Sequence, residues 1–179
     1  MSSAKHGQSN SPSKPMKTIY FVRHALTEAN VAGIAAGAEL DTPLTAEGKE
    51  QAKKAGQKLT DKNIQLIVCS PLTRTVDTAE IISKEIGYDT KKIIKNPIFI
   101  ERYFGVYSGR PHKEYREAGM SGMLDESVES GEALFERMRQ ALQWLRSLDV
   151  QDILVVSHGA TGKAIRLLIK VLVMSITTK

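Results

Sequence analysis

The sequence predicts a single α/β domain in three layers, with helices on both faces of a mostly parallel central sheet. Three observations point there. Residues 18–22, 64–69 and 153–156 are short, apolar, β-branched-rich runs without alternation, the pattern of strands covered on both sides. Helical patterns separate them, so strand and helix alternate along the chain. The length, 179 residues, is that of one domain with a sizeable core.

Each element follows from its residues. The first strand is expected over 18–22. Thr45 can cap a helix that places Ala52, Ala55 and Leu59 on one face. The next helix runs from about Leu72 to a stop at Gly87, with Val76, Ala79 and Ile86 inward. A further strand is expected over 93–100, where Pro97 puts it near an edge or bulge. Ser130 can cap a helix with Leu134, Met138, Ala141, Leu145 and Leu148 on a stripe. A last helix, from about Ala160 to Val173, is apolar on most sides, which suits burial against the sheet. These stripes are core and carry no function of their own.

Composition narrows the function classes. Hydrophobic residues make up 41% and charged residues 25%, ordinary globular usage. The formal charge of +5 arises from 25 Lys and Arg against 20 Asp and Glu. Lys5, Lys14 and Lys17 sit in an acid-free leader, so the remainder is close to neutral. No basic stripe with interleaved aromatics appears, so a nucleic-acid partner is not expected. The most apolar stretch, residues 164–176, is interrupted by Arg166 and Lys170 and is too short to span a bilayer. Cys69 has no disulfide partner, which sets a cytoplasmic expectation. Residues 1–16, rich in Ser, Lys, Asn, Pro and Gly, are expected as a disordered tail, and 17–179 as the domain. His6 in the tail and His112 in a polar loop have no partners at metal-ligand spacing, so no metal or cofactor is expected.

In open α/β sheets, ligands bind beyond the carboxyl ends of the strands. There the sequence places Arg23-His24, then Ser70 to Arg74, then Glu101-Arg102, then Ser157-His158-Gly159. Guanidinium groups match phosphate oxygens bidentately, and neutral imidazole is a nucleophile. The set suggests phosphoryl transfer. One histidine attacks phosphorus in line, cations and the other histidine hold the equatorial oxygens, and a carboxylate protonates the leaving oxygen.

Six fragments then carry a resemblance. They are Phe21-Val22-Arg23-His24-Ala25-Leu26-Thr27-Glu28-Ala29-Asn30, Pro43-Leu44-Thr45-Ala46-Glu47-Gly48, Ser70-Pro71-Leu72-Thr73-Arg74, Glu101-Arg102-Tyr103-Phe104-Gly105, Ser130-Gly131-Glu132-Ala133 and Val155-Val156-Ser157-His158-Gly159. In that order they resemble the histidine phosphatase superfamily, whose best-known branch is cofactor-dependent phosphoglycerate mutase, and the fold implied is phosphoglycerate mutase-like. The resemblance implies that His24 becomes a phosphohistidine, that Arg23, Arg74 and His158 form the phosphate pocket, and that Glu101 is the proton donor. It also places Asn30 at the phosphate, where Thr27 can add a hydroxyl, and likens Arg102 to a substrate-contacting arginine of the mutase branch. Gly159 stands where a helix begins, a position that favours anions.

Rival readings are weighed on the same residues. Arg74 could instead be an exposed cation paired with Asp77. Glu126, Glu129 and Glu132 read as a solvated helix start. Cys69 to Arg74 invites comparison with thiol phosphatases, but the loop is one residue short and Pro71 removes a donor. Gly159 to Lys163 differs from a phosphate-binding loop in its glycine spacing. The resembled family most often has Gly where Ala25 stands, and usually continues past the last helix. The chain is therefore expected to be short at its C-terminal end, or to have a second copy over the open sheet edge. The segment 110–130 is short for a lid, which favours hydrolysis over mutase chemistry. The expected substrate is a small phosphorylated metabolite or a phosphoprotein. A mutase, or a silent module that only binds phospho-ligands, are the alternatives.

Overall fold

The computed structural model describes residues 17–177, with side chains through Lys170. The tail expected over 1–16 lies outside the described residues. Four strands, β1 (Thr18–Arg23), β2 (Leu66–Cys69), β3 (Ile94–Lys95) and β4 (Asp152–Ser157), pair in parallel in the order β1-β4-β2-β3. The helices are α1 (Glu28–Val31), α2 (Ala46–Gln57), α3 (Thr73–Glu85), α4 (His112–Met120), α5 (Gly131–Ser147) and α6 (Gly159–Thr177).

Both faces of the sheet are buried, which is why its strands show no polar alternation. Ile153 and Val155 of β4 and Val68 of β2 pack with Leu134, Met138, Ala141 and Leu145 of α5 and Ala164 and Ile165 of α6. Leu154, Val156, Ile67 and Cys69 turn the other way, onto Val76, Ala79 and Ile82 of α3. The three layers follow directly.

Two helices are capped as the sequence predicts. The Thr45 hydroxyl accepts the Gly48 N–H at 2.9 Å, and the Ser130 hydroxyl accepts the Ala133 N–H at 3.0 Å. In α3, Leu72 offers no side-chain cap. The cap arrives instead from Asp41, whose carboxylate accepts the Thr73 N–H.

Gly48 lets α2 press against the loop that follows β1. A Cβ there would collide with the Leu26 backbone oxygen, which already accepts the Thr45 N–H at 3.0 Å. Gly48→Ala is therefore expected to cost about 1–3 kcal/mol, as overpacking does. Thermal unfolding followed by circular dichroism checks it, with Tm falling by several degrees.

Three expectations need correction. The strand over 93–100 pairs only at Ile94 and Lys95. Asn96 ends it, its side chain accepting the Ile98 N–H at 3.0 Å, and Pro97 opens a single 3-10 turn that buries Phe99. His112 does not lie in a loop; it opens α4. Helix α4 has no side-chain cap and no apolar stripe, so the sequence gives no sign of it. It is laced by Arg110–Glu114 and Lys113–Glu117 pairs, each at 3.6 Å. Leu148 falls just past the end of α5, although it still packs on the core.

Candidate active site

Strand register brings the two histidines together. Arg23 pairs with Ser157 across β1 and β4, so His24 and His158 leave neighbouring strands at one level. The His24 N–H bonds the Ser157 carbonyl at 2.9 Å, and the two imidazole rings stand 5.3 Å apart, centroid to centroid. On the other side of β4, the Ser70 N–H bonds the Val156 carbonyl at 3.1 Å. That places the Ser70 hydroxyl 2.8 Å from His158 Nε2.

The tautomer of His24 is fixed by its neighbour. Nδ1 lies 2.8 Å from the Ala25 carbonyl oxygen, which can only accept, so Nδ1 carries the hydrogen and Nε2 the lone pair. Ala25 achieves this at negative φ, since among the described residues every positive φ belongs to glycine. Burial pushes the His24 pKa down to about 4, and the charges of Arg74 and Arg23 push the same way. His158 is driven further, to about 2, by burial first and then by Arg74, His24 and Arg23. Both rings are neutral at pH 7.

This has a consequence for stability. Between the unfolded value of 6.5 and the folded values of about 4 and about 2, the unfolded chain binds protons that the folded chain does not. Stability is whole above pH 6.5 and declines as pH falls, with each imidazole contributing a slope of about 1.4 kcal/mol per pH unit. Below about pH 4 the His24 contribution has run its course. Urea titrations from pH 7 to 4 are expected to show this decline, and His158→Asn to make it shallower; a pH-independent midpoint would contradict the burial argument.

Arg74, only 2% exposed, is wired into the loop before α2. One terminal nitrogen donates to the Leu40 carbonyl at 2.8 Å and to Asp41 Oδ1 at 3.1 Å. The other donates to the Gly37 carbonyl at 2.7 Å. Its carboxylate partner is thus Asp41 rather than Asp77. Nε of Arg74 and Nδ1 of His158 are buried without any hydrogen-bond partner. No other buried side-chain nitrogen or oxygen among the described residues is left so.

The Glu101 carboxylate takes up the start of α6. It accepts the Ala160 N–H at 3.2 Å and the Thr161 N–H at 3.3 Å, together with the Arg102 N–H at 2.9 Å. The helix start is therefore capped by the protein's own carboxyl group. Gly159 lies where a Cβ would come 3.7 Å from Arg23 Nε and 3.8 Å from Glu101 Oε2, so all three share one corner.

A cleft of about 510 Å³ gathers Arg23, His24, Thr27, Asn30, Arg74, Glu101, Arg102 and Gly159; His158, fully buried, does not line it and borders a neighbouring cavity that shares Arg23 and Gly159. Thr27 and Asn30 hold each other as well. The Thr27 hydroxyl accepts the Asn30 N–H and Asn30 Oδ1 accepts the Thr27 N–H, both at 3.2 Å. The Asn30 oxygen is thereby engaged, and its amide NH2 is the group available to a ligand.

Sequence reasoning missed the supports of this site. Glu129 is not a solvated helix-start residue; it grips Arg137 through both carboxylate oxygens, at 3.0 and 2.8 Å. Arg137 in turn donates to the Ile98 and Ile100 carbonyls at 3.0 and 2.7 Å, steadying the segment that presents Glu101. The Arg102 guanidinium is held by the Glu129 carbonyl at 2.7 Å and by Tyr115 Oη at 2.9 Å. Nothing in the spacing of Asp41, Arg137 or Tyr115 signals these long-range partners.

The rival motifs fare differently. Cys69 is fully buried in the sheet, and burial pushes its thiol up to about 11, which removes the thiolate a nucleophile needs. Gly159 to Lys163 are helical and form no phosphate-cradling loop. Among the described residues no helix is long and apolar enough to cross a membrane.

The profile of the histidine phosphatase superfamily (branch 1) matches residues 19–175. "Probable phosphoglycerate mutase GpmB" of Serratia proteamaculans is 35% identical over 155 residues, 80% of this chain and 70% of that protein. "Fructose-2,6-bisphosphatase TIGAR B" of Danio rerio is 34% identical over 132 residues, 72% of this chain and 51% of that protein. Among solved structures, the alpha-ribazole phosphatase from Shigella flexneri superposes with a TM-score of 0.71 at 28% identity, covering 84% of this chain and 77% of that one.

Proposed function

The chain belongs to the histidine phosphatase superfamily, a family of phosphatases and mutases, and on that premise we propose that it hydrolyses phosphomonoesters through a phosphohistidine at His24. The observation that carries this reading is the pair of unpartnered buried nitrogens, Arg74 Nε and His158 Nδ1. A buried donor left unmade costs about 1–3 kcal/mol. Arg74 Nε is such a donor, and His158 Nδ1 is a second in the tautomer whose Nε2 accepts from the Ser70 hydroxyl, beside the nucleophile where phosphoryl oxygens need donors.

His24 Nε2 attacks phosphorus in line, forming an N–P bond as the P–O bond to the leaving alcohol breaks. Glu101 gives its proton to that oxygen. Arg23, Arg74, His158 and the Asn30 amide donate to the equatorial oxygens. In the second step the Glu101 carboxylate takes a proton from water, whose oxygen attacks phosphorus, releasing inorganic phosphate and returning His24 to its neutral form. The chemistry uses no metal, and EDTA is expected to leave the rate unchanged.

Between residues 110 and 130, the structured element beside the cleft is α4, nine residues long. So short a cover leaves the phosphohistidine open to water, which favours hydrolysis over transfer back to a retained intermediate. Phosphate release should therefore outrun interconversion of 3- and 2-phosphoglycerate, and the reverse order would make the protein a mutase. A cleft of about 510 Å³ suits a small phosphorylated metabolite.

The acid role has its own test. Glu101→Gln is expected to slow an alkyl phosphate by about 10²–10⁴, yet to affect p-nitrophenyl phosphate far less, because nitrophenolate leaves without a proton. Equal losses on both substrates would remove Glu101 from this role.

A further inference from the structure

Glu101 sits on irregular backbone. β3 stops at Lys95, and from Ile100 to Phe104 the chain belongs to no strand or helix, so no ladder of main-chain hydrogen bonds holds the carboxyl group in place. The segment is fastened from the side instead. The carbonyls of Ile98, Phe99, Ile100 and Glu101, four in succession, all accept from side chains. Ser157 Oγ donates to Phe99 at 2.7 Å. The Arg137 guanidinium supplies the other three, to Ile98 at 3.0 Å, to Ile100 at 2.7 Å and to Glu101 at 3.4 Å.

Arg137 is well placed for this grip. Its neighbours on α5, Leu134 and Met138, are buried in the core, which anchors the backbone it springs from. Its side chain is 18% exposed and that of Glu129 11%, and the two carboxylate oxygens of Glu129 hold the guanidinium in one plane. A rigid fork of donors can serve several carbonyls at once, which an ammonium cannot. Arg137 does not line the cleft, so whatever it contributes to the reaction passes through Glu101. A general acid works only within hydrogen-bond reach of the oxygen it protonates, and a displacement of about 1 Å costs about 10²-fold in rate.

We propose that Arg137, aligned by Glu129, is a positioning residue for proton donation by Glu101: its hold on the 98–101 carbonyls sets the carboxyl group at the leaving oxygen. This rests on the hydrolase reading given above and deepens it. The proton passes from Glu101 to the departing oxygen as the P–O bond breaks, and Arg137 exchanges no proton.

The test is a ratio: kcat/KM for glycerol 3-phosphate, whose leaving oxygen needs a proton, over kcat/KM for p-nitrophenyl phosphate, whose leaving oxygen does not. The ratio cancels any loss of folded enzyme. Arg137→Gln is expected to lower it by about 10²-fold, and Glu101→Gln by at least as much. A general loosening of the fold would slow both substrates alike and leave the ratio where it was. In Arg137→Gln/Glu101→Gln the ratio should fall no further than in Glu101→Gln alone, because residues that act as a unit are not additive. Arg139→Gln, which removes an exposed cation of the same helix paired with Glu136, should keep the wild-type ratio. Should Arg137→Gln not fold, Arg137→Lys keeps the charge beside Glu129 but loses the fork, and should lower the ratio in the same direction. A ratio unchanged in the Arg137 variant, or two effects that multiply in the double variant, overturns the positioning role alone. A ratio unchanged in Glu101→Gln overturns the acid role of Glu101 and the positioning role with it.

Discussion

His24→Ala is expected to abolish turnover of p-nitrophenyl phosphate, a loss of roughly 10⁴–10⁶ for removal of a covalent nucleophile. The ring makes one hydrogen bond of its own, to the Ala25 carbonyl, so the variant should fold. Quenching wild type during turnover of a ³²P-labelled ester should trap label that is stable to base and lost in acid. It should map to His24 and, because Nδ1 is committed to that carbonyl, to Nε2. Cys69→Ser should turn over as wild type does. A dead Cys69→Ser beside an active His24→Ala would transfer the nucleophile to the thiol.

Arg74 is expected to show the second largest effect, and it separates chemistry from folding. Arg74→Ala strands the Gly37 and Leu40 carbonyls and the Asp41 carboxylate that it now holds. Breaking such a buried pair costs about 3–5 kcal/mol, a fall in Tm of the order of 10 °C. Arg74→Lys keeps the charge, but one ammonium cannot replace a fork of donors and supplies nothing at the place of Nε. It should lose much less stability while kcat still drops by about 10²–10³. Differential scanning calorimetry and steady-state kinetics on both variants check the split. Full activity in Arg74→Lys would mean that charge alone suffices.

The layered fold was legible because its strands are buried on both faces, and runs such as Ile153 to Val156 announce that condition in their composition. The ends of β1 and β4 were equally legible, since parallel register forces His24 and His158 to one rim once the strands are placed. Shorter-range competition was harder to see. Asn96 and Pro97 cut β3 to two residues although Ile93, Ile98 and Ile100 all suit a strand. Helix α4 has only Tyr115, Ala118 and Met120 as apolar residues, and Met120 lies off the side of the other two and is exposed, so no stripe betrays it. The supporting contacts of Asp41 and Arg137 reach across 33 and 36 to 39 residues. Such pairings are settled by tertiary structure, and no local pattern encodes them.

In the mechanism proposed above a ring nitrogen is the nucleophile, and the chain's single thiol has no chemical duties. Cys69, sealed in the sheet and holding its proton far above neutral pH, offers peroxide or an alkylating reagent neither a thiolate nor a way in. Catalysis by this chain should consequently persist through oxidative episodes that silence phosphatases built on cysteine.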